Sequence, residues 1–307
     1  MILVAGIMPD GMIELMCARL EHMQYDYLFL NELRYPGEFH VTWSACRNGV
    51  SGYIEGPRGR VNLDEISGVY ARYVSHRGDQ KREGFSDSEE QIIQAEYQAS
   101  LMYLFDAMTC RVVNRVRAST SNDSKLYQAF LVTACGFLSP RTLVTTMPEE
   151  AAAFYEACGR KVIYKSVSSV RSIVRRLQDG DLARLDAVRN CPTQLQEWVE
   201  GVDIRVHTVG DEVFATELVS EASDYRYASR SGDSVKATAI EIPPEIASAC
   251  VKLAKSVGLE VAGIDLRRTP DGRYYCFEMN PSPGFLFYER ATGQPISEAV
   301  AKLLRRA

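Results

Sequence analysis

The stretch GIDLRRTPDGRYYCFEMNPSPGF, from Gly263 to Phe285, decides how the chain is read. GIDLRR has the composition of a strand, Pro270-Asp271-Gly272 that of a turn and RYYCFEMN that of a returning strand, so the segment predicts a β-hairpin. Side chains alternate along a strand, which puts Glu278 and Asn280 on one face, sends Phe277 and Met279 toward the core, and pairs Asp265 with Arg267 on a common side. Asp265, Glu278 and Asn280 are then three hard oxygen ligands on neighbouring strands. With no His or Cys among them, the set suits Mg²⁺ rather than zinc. Mg²⁺ keeps several waters and binds through a few carboxylates plus phosphates, so the hairpin points to a nucleotide site. The same residues also fit a polar sheet face that ends in a proline-rich loop.

Two upstream segments bear on that choice. In KVIYKSVSSVRSIV the apolar run ends in Lys165 and passes into Ser166, Ser168, Ser169 and Arg171. A lysine at a strand end can hold a phosphate while loop hydroxyls, N–H groups and Arg171 cover the other oxygens. An edge-strand lysine before a solvated serine loop has the same pattern. In LQEWVEGVDIRVHTVGDEVFATEL, Asp203, Arg205 and His207 alternate with Val202, Ile204 and Val206. A purine needs a backbone donor and acceptor at the floor of a dry slot, and a ribose needs a carboxylate. Glu197, Trp198 and Val199, followed by Glu200 and Asp203, can supply both. His207 reads as a strand residue beside the site rather than as a base.

With 307 residues, 46% of them hydrophobic, the chain can bury a large core in two or three lobes. Strands alternating with helices give an α+β protein built of α/β lobes. The expected division is 1–112, 113–190 and 191–307. Helices are expected at Ser88–Met108, with Ser88 and Gln91 as a capping box, at Asp123–Cys135, and at Ile296–Arg306. Arg77–Ser86 reads as an exposed loop, and Asp224–Arg230 as either a segment that closes over substrate or a plain crossover. No run of eighteen apolar residues appears, and the apolar start breaks at Pro9-Asp10-Gly11 without a basic leader. Eight scattered cysteines without CxxC spacing favour a reducing, cytoplasmic setting. A net charge of −5 argues against nucleic acid as the main partner.

On these residues the chain resembles the ATP-grasp carboxylate–amine ligases. The resemblance matches Lys125 and Lys165 to the family's two nucleotide lysines, QEWVEG to its adenine hinge, and Asp265, Glu278 and Asn280 to its magnesium ligands. DIR at Asp203–Arg205 and MNPSPGF at Met279–Phe285 are similar to the branch related to ribosomal-protein glutamylation. LDEISGVYARYVS (63–75), SEEQIIQAEYQASLMYLFDAM (88–108) and RVVNRVRASTSNDSKLYQAF (111–130) are similar to graspetide, or microviridin-type, peptide ligases. The resemblance implies an ATP-grasp fold behind an amino-terminal pre-ATP-grasp domain, with the nucleotide cleft between two lobes. It implies ATP and a pair of Mg²⁺ ions, a carboxylate-bearing substrate such as a precursor peptide, and a possible homodimer. It assigns Arg205, Arg267 and Lys165 to catalysis, and Arg72 and Ser282 to substrate contact. Two departures stand out. SVSSVRS lacks the glycines usual in the phosphate loop, and Asn114-Arg115-Val116 lacks the usual proline.

The chemistry expected is activation of a carboxylate by the γ-phosphoryl group of ATP, giving an acyl phosphate that an amine or hydroxyl attacks. A ligase acting on free amino acids, a non-catalytic ATP-binding sensor and a simple phosphotransferase remain in competition with a peptide-modifying enzyme.

Overall fold

The computed structural model describes residues 1–305 apart from 9, 36, 48, 73–83, 121–123, 169–173 and 220–235. Strand β1 (Ile2–Gly6) is buried at every position and so must be covered on both faces. It lies between β2 (Tyr27–Asn31) and β6 (Gly68–Ala71), and β6 pairs in turn with β7 (Arg111–Val113), all parallel. Helix α1 (Gly11–His22) covers one face with Ile13, Met16, Cys17 and Leu20. Helix α2 (Asp87–Ala107) covers the other with Leu101, Leu104 and Phe105. A meander of β3 (His40–Cys46), β4 (Gly49–Gly56) and β5 (Gly59–Asn62) adds Ile54 to that second core. The capping box of α2 lies two residues before the expected one. Ser86 N–H donates to the Glu89 carboxylate at 2.8 Å, and Ser86 Oγ accepts from Glu89 N–H at 3.4 Å, so Ser88 and Gln91 are not the pair. Both candidates have a serine three residues before an acid or amide, and only the first coincides with the change in backbone conformation.

After β7 the chain leaves the first sheet. Helices α3 (Val116–Ser119) and α4 (Lys125–Ala134) bury Ala118, Val132 and Cys135 in the carboxyl-terminal core. A separate antiparallel sheet follows, made of β8 (Thr142–Thr145), β9 (Val162–Ser166), β10 (Arg175–Arg176) and β11 (Thr193–Glu197), in the order 10-9-11-8. Helix α5 (Pro148–Ala157) closes its outer face through Ala151 and Tyr155 against Val162 and Leu195. Strand β11 lies beyond residue 190 in sequence but hydrogen-bonds into this central sheet.

The third region is a five-stranded antiparallel sheet of β12 (Val202–Val209), β13 (Glu212–Val219), β14 (Lys236–Ile240), β15 (Val261–Arg268) and β16 (Tyr274–Asn280), in the order 14-13-12-15-16. Ile204, Val206, Ile264, Leu266, Cys276 and Met279 pack from one face against α4 and α6 (Pro244–Ser256). Helices α7 (Leu286–Thr292) and α8 (Ile296–Arg305) return to α1, so the first and last helices share a core. The buried Gln128 of α4 finishes β16, its amide donating to Met279 O at 2.7 Å and accepting from Met279 N–H at 3.0 Å. Among the described residues no helix is long and apolar enough to cross a membrane.

The seam between the first and last segments depends on a missing side chain. A Cβ on Gly68 would stand 3.0 Å from Leu304 Cα and carbonyl carbon, and closer still to its oxygen. Backbone cannot swing aside as a side-chain tip can, so Gly68→Ala is expected to cost roughly 1–3 kcal/mol in urea unfolding. An unchanged midpoint would refute this tight seam.

Candidate functional site

The hairpin is interrupted by a one-residue bulge. Asp265 pairs with Glu278, but the next residue, Leu266, pairs with Cys276, leaving Phe277 extra. This corrects the simple alternation expected for the strand. Cys276 and Met279, three apart, are both buried in the core, whereas Phe277 is half-buried with its ring 5.2 Å from the Arg267 guanidinium. The extra residue shifts Glu278 onto the face opposite α4 and α6, directly beside Asp265, with Asn280 two residues on.

That face carries alternating charge across three strands. Arg205 is opposite Asp265 on the neighbouring strand, and its Nη1 donates to Asp265 Oδ1 at 2.7 Å. One step along, Asp203 faces Arg267, which donates from Nε at 2.8 Å and approaches with Nη2 at 2.7 Å. Arg205 is only 6% exposed, so its charge is held in place by the sheet and by Asp265. Asn280 Oδ1 accepts from Ser282 N–H at 2.8 Å, which orients the amide at the start of the proline-rich loop. His207 is fully buried between the sheet and α7, its ring 4.7 Å from that of Tyr288. Burial, and then the nearby Arg205 charge, push its pKa well below the usual value. Neither ring nitrogen makes a well-formed hydrogen bond, the Gly284 backbone offering only a weak contact. It is a neutral packing group, as its place in the strand suggested.

The donor set fits a hard divalent cation. Among the described residues no three His, Cys, Asp or Glu side chains converge as a self-sufficient metal site. Two carboxylates and one amide, all oxygen donors, match a site that takes its remaining ligands from water and phosphate.

The hinge connects this face to the central sheet. Trp198 N–H donates to Lys161 O at 2.8 Å, and the Trp198 ring lies against two guanidiniums, Arg267 at 4.8 Å and Arg176 at 5.5 Å. Arg267 Nη1 also donates to Val199 O at 2.8 Å. Arg267 thus connects Asp203, the hinge backbone and two aromatic rings. The Glu197 carboxylate accepts from Arg141 Nε at 3.1 Å and Nη2 at 3.3 Å, and these bonds hold it below the usual range. Glu200 is exposed and pairs with Lys161 at 3.4 Å.

On the central sheet, Lys165 Nζ donates to Gln196 Oε1 at 3.3 Å, and Gln196 Nε2 donates to Thr142 Oγ1 at 3.1 Å. Ser168 is exposed, and its carbonyl accepts from Ser166 Oγ at 2.9 Å. Ser169, Arg171 and the Asp224–Arg230 segment lie outside the described residues. Lys125 opens α4, half-buried and one turn before Gln128 on the same helical face. Arg72 and Ser282, far apart in sequence, are brought together. Arg72 Nη1 donates to Ser282 Oγ at 3.1 Å, while its Nε donates to Asp10 at 3.0 Å.

Sequence reasoning missed the residues that hold this arrangement. Gln196, Gln128 and Asn114 all fall inside stretches that carry the resemblance, QEWVEG and 111–130, but nothing in those stretches marks the contacts their side chains make. Asn114 is 5% exposed and makes four hydrogen bonds. Its Nδ2 donates to Val261 O and Pro281 O, both at 2.6 Å, and its Oδ1 accepts from Glu260 N–H at 2.9 Å and Val261 N–H at 3.2 Å.

Comparison with known proteins agrees with this architecture. A probable alpha-L-glutamate ligase 1 of Shewanella amazonensis is 27% identical over 220 residues, 69% of this chain and 72% of that protein. The ATP-grasp ligase PsnB, solved with a phosphomimetic variant of its minimal precursor, Mg and ADP, is 26% identical, with a TM-score of 0.78 over 99% of this chain and 97% of its own. A RiPP-associated ATP-grasp ligase of Chryseobacterium gregarium, solved with ADP and a leader and core peptide, shares the fold. Its TM-score is 0.84 at 23% identity, covering 99% of this chain and 96% of its own. The RimK-like ATP-grasp domain itself matches residues 122–304, a span that takes in the hinge, the alternating charges and the bulged hairpin, and the chain belongs to that family of ATP-grasp ligases.

Proposed function

We propose that this ATP-dependent ligase activates a carboxylate as an acyl phosphate, releasing ADP, and passes the acyl group to an amine or hydroxyl on a ribosomal peptide. The observation that carries the reading is the alternation of Asp203–Arg267 and Arg205–Asp265–Glu278–Asn280 on one sheet face. Glu197–Val199 would receive the purine and Glu200 or Asp203 the ribose. Lys125, Lys165 and the loop of Ser168, Ser169 and Arg171 would hold the phosphates. Asp265, Glu278 and Asn280 would hold Mg²⁺, two ions in this reading, and the metal supplies charge neutralisation on the phosphate oxygens. Arg205 is held rigidly where negative charge collects as the phosphoryl group moves, so it loses little reorganisation energy at that moment. Arg267 is already engaged by Asp203 and Val199 O, and its part is to hold the hinge on the catalytic sheet. In the first step the carboxylate oxygen bonds to the γ-phosphorus as the bond to ADP breaks. In the second, the amine or hydroxyl attacks the acyl carbon, loses a proton and expels phosphate. Arg72 and Ser282 would position the acceptor where the first lobe meets the proline-rich loop.

Peptide as the substrate is supported by PsnB, whose structure contains its precursor. A second reading, transfer of free glutamate, is favoured by the glutamate-ligase relative. The test is ADP release with ATP and Mg²⁺ across acidic peptides and free amino acids, with products read by mass. The proposal expects ADP together with loss of one water from a peptide. Gain of a glutamyl residue would support the second reading, and phosphate left on the acceptor, or bound ATP without ADP, would overturn both.

A further inference from the structure

The Arg205 guanidinium lies over β15 at Gly263, two residues from the Asp265 it binds. A Cβ on Gly263 would stand 2.5 Å from Arg205 Cζ, closer still to Nη2, and 2.7 Å from Pro283 Cβ. Gly263 has none of the left-handed φ values that call for glycine, so its backbone conformation is open to any residue. What the position requires is space. His207 is the cross-strand neighbour of Gly263 on β12, and its ring is fully buried there. Pro283 closes the position from above, in the loop that follows Asn280.

We propose that Gly263 is a positioning residue for Arg205, its absent side chain being the volume in which the guanidinium lies flat between β15 and the 281–284 loop. The claim rests on the reading of Arg205 as the cation that acts on the reacting groups. Any side chain at 263 displaces the guanidinium from Asp265 and lifts Pro283, so the cation moves away from where phosphoryl charge develops. A fixed cation keeps its effect only while it stays fixed, and a displacement of about 1 Å can cost on the order of 10²-fold in rate.

The experiment uses the full chain and has two arms. In ¹⁵N-arginine-labelled protein, the guanidinium signals of Arg205 are identified by their loss in Arg205→Lys. In Gly263→Ala those same signals are expected to shift or broaden while the other arginines keep theirs. Unchanged Arg205 signals would overturn the proposal whether or not the chain proves to be a ligase. In the second arm, ADP release is measured with the best acidic peptide of the panel. Gly263→Ala is expected to lower kcat by roughly 10- to 100-fold, with KM for ATP within about threefold. In an Arg205→Ala background the same substitution should add less than about twofold, because the group it displaces is gone. An equal loss in both backgrounds would mean that Gly263 serves the sheet and not Arg205. Should Gly263→Ala fail to fold, recovery of soluble protein in the Arg205→Ala/Gly263→Ala double variant supports the proposal, and continued failure overturns it. If wild type releases no ADP with any substrate, the ligase reading fails, and the labelling arm still decides the role of Gly263.

Discussion

Glu278→Ala is expected to reduce ADP release by about 10²–10³-fold, equivalent to roughly 3–4 kcal/mol of transition-state stabilisation. The bulge at Phe277 exists in the fold to bring Glu278 level with Asp265, and Asp265 already shares an oxygen with Arg205. Removing Glu278 leaves one carboxylate that also has a guanidinium to satisfy, too little anionic charge to retain a divalent cation beside phosphate. The loss should appear in kcat and in the Mg²⁺ concentration needed for half-maximal rate. The thermal midpoint should hardly move, because Glu278 is half-buried and packs no core. Glu278→Gln keeps the shape and removes the charge, so it should resemble the alanine variant. Activity within about threefold of wild type for either variant would remove Glu278 from the site.

Asn114→Ala should have the largest effect on stability, a loss of about 3–5 kcal/mol in chemical unfolding. One buried amide satisfies Val261 at both N–H and carbonyl, Pro281 at its carbonyl and Glu260 at its N–H. Truncation leaves these backbone groups unpaired where water cannot reach them, and a buried polar group without a partner costs more than a hydrogen bond gains. Asn114→Asp should fare little better, since a carboxylate cannot donate to the two carbonyls. A loss below about 1 kcal/mol would show that the site repacks or admits water.

Much of the site was legible because local chemistry marks it. Pro270-Asp271-Gly272 locates the turn, and the alternation in VDIRVH puts Asp203 and Arg205 on one face. An extra residue in a strand has no compositional sign, so the bulge, and with it the direction of Phe277, could only be seen once strands were paired. Asn114 and Gln128 were illegible for a different reason. Their partners are roughly 150 residues away, and nothing near an isolated polar residue in sequence records which backbone groups it will satisfy. The expected division at 113 and 190 followed breaks in sequence pattern, whereas packing joins α4 to the last sheet and β11 to the central one. Lys165 was identified from the run that precedes it, and Gln196, which receives its ammonium, was hidden inside a segment read for its backbone.

The amide of Gln128 has a consequence for how a peptide could approach. Strand β16 is outermost in its sheet, and an outermost strand ordinarily offers a row of backbone groups on which another chain can build. Here Cys276 N–H donates to Leu138 O at 2.9 Å, and both backbone groups of Met279 are engaged by Gln128. The strand that carries Glu278 and Asn280 is therefore closed to strand addition at these positions. Under the proposed peptide reading, an extended substrate would find no open backbone at Cys276 or Met279 and would meet the face of the sheet rather than zip onto its border there.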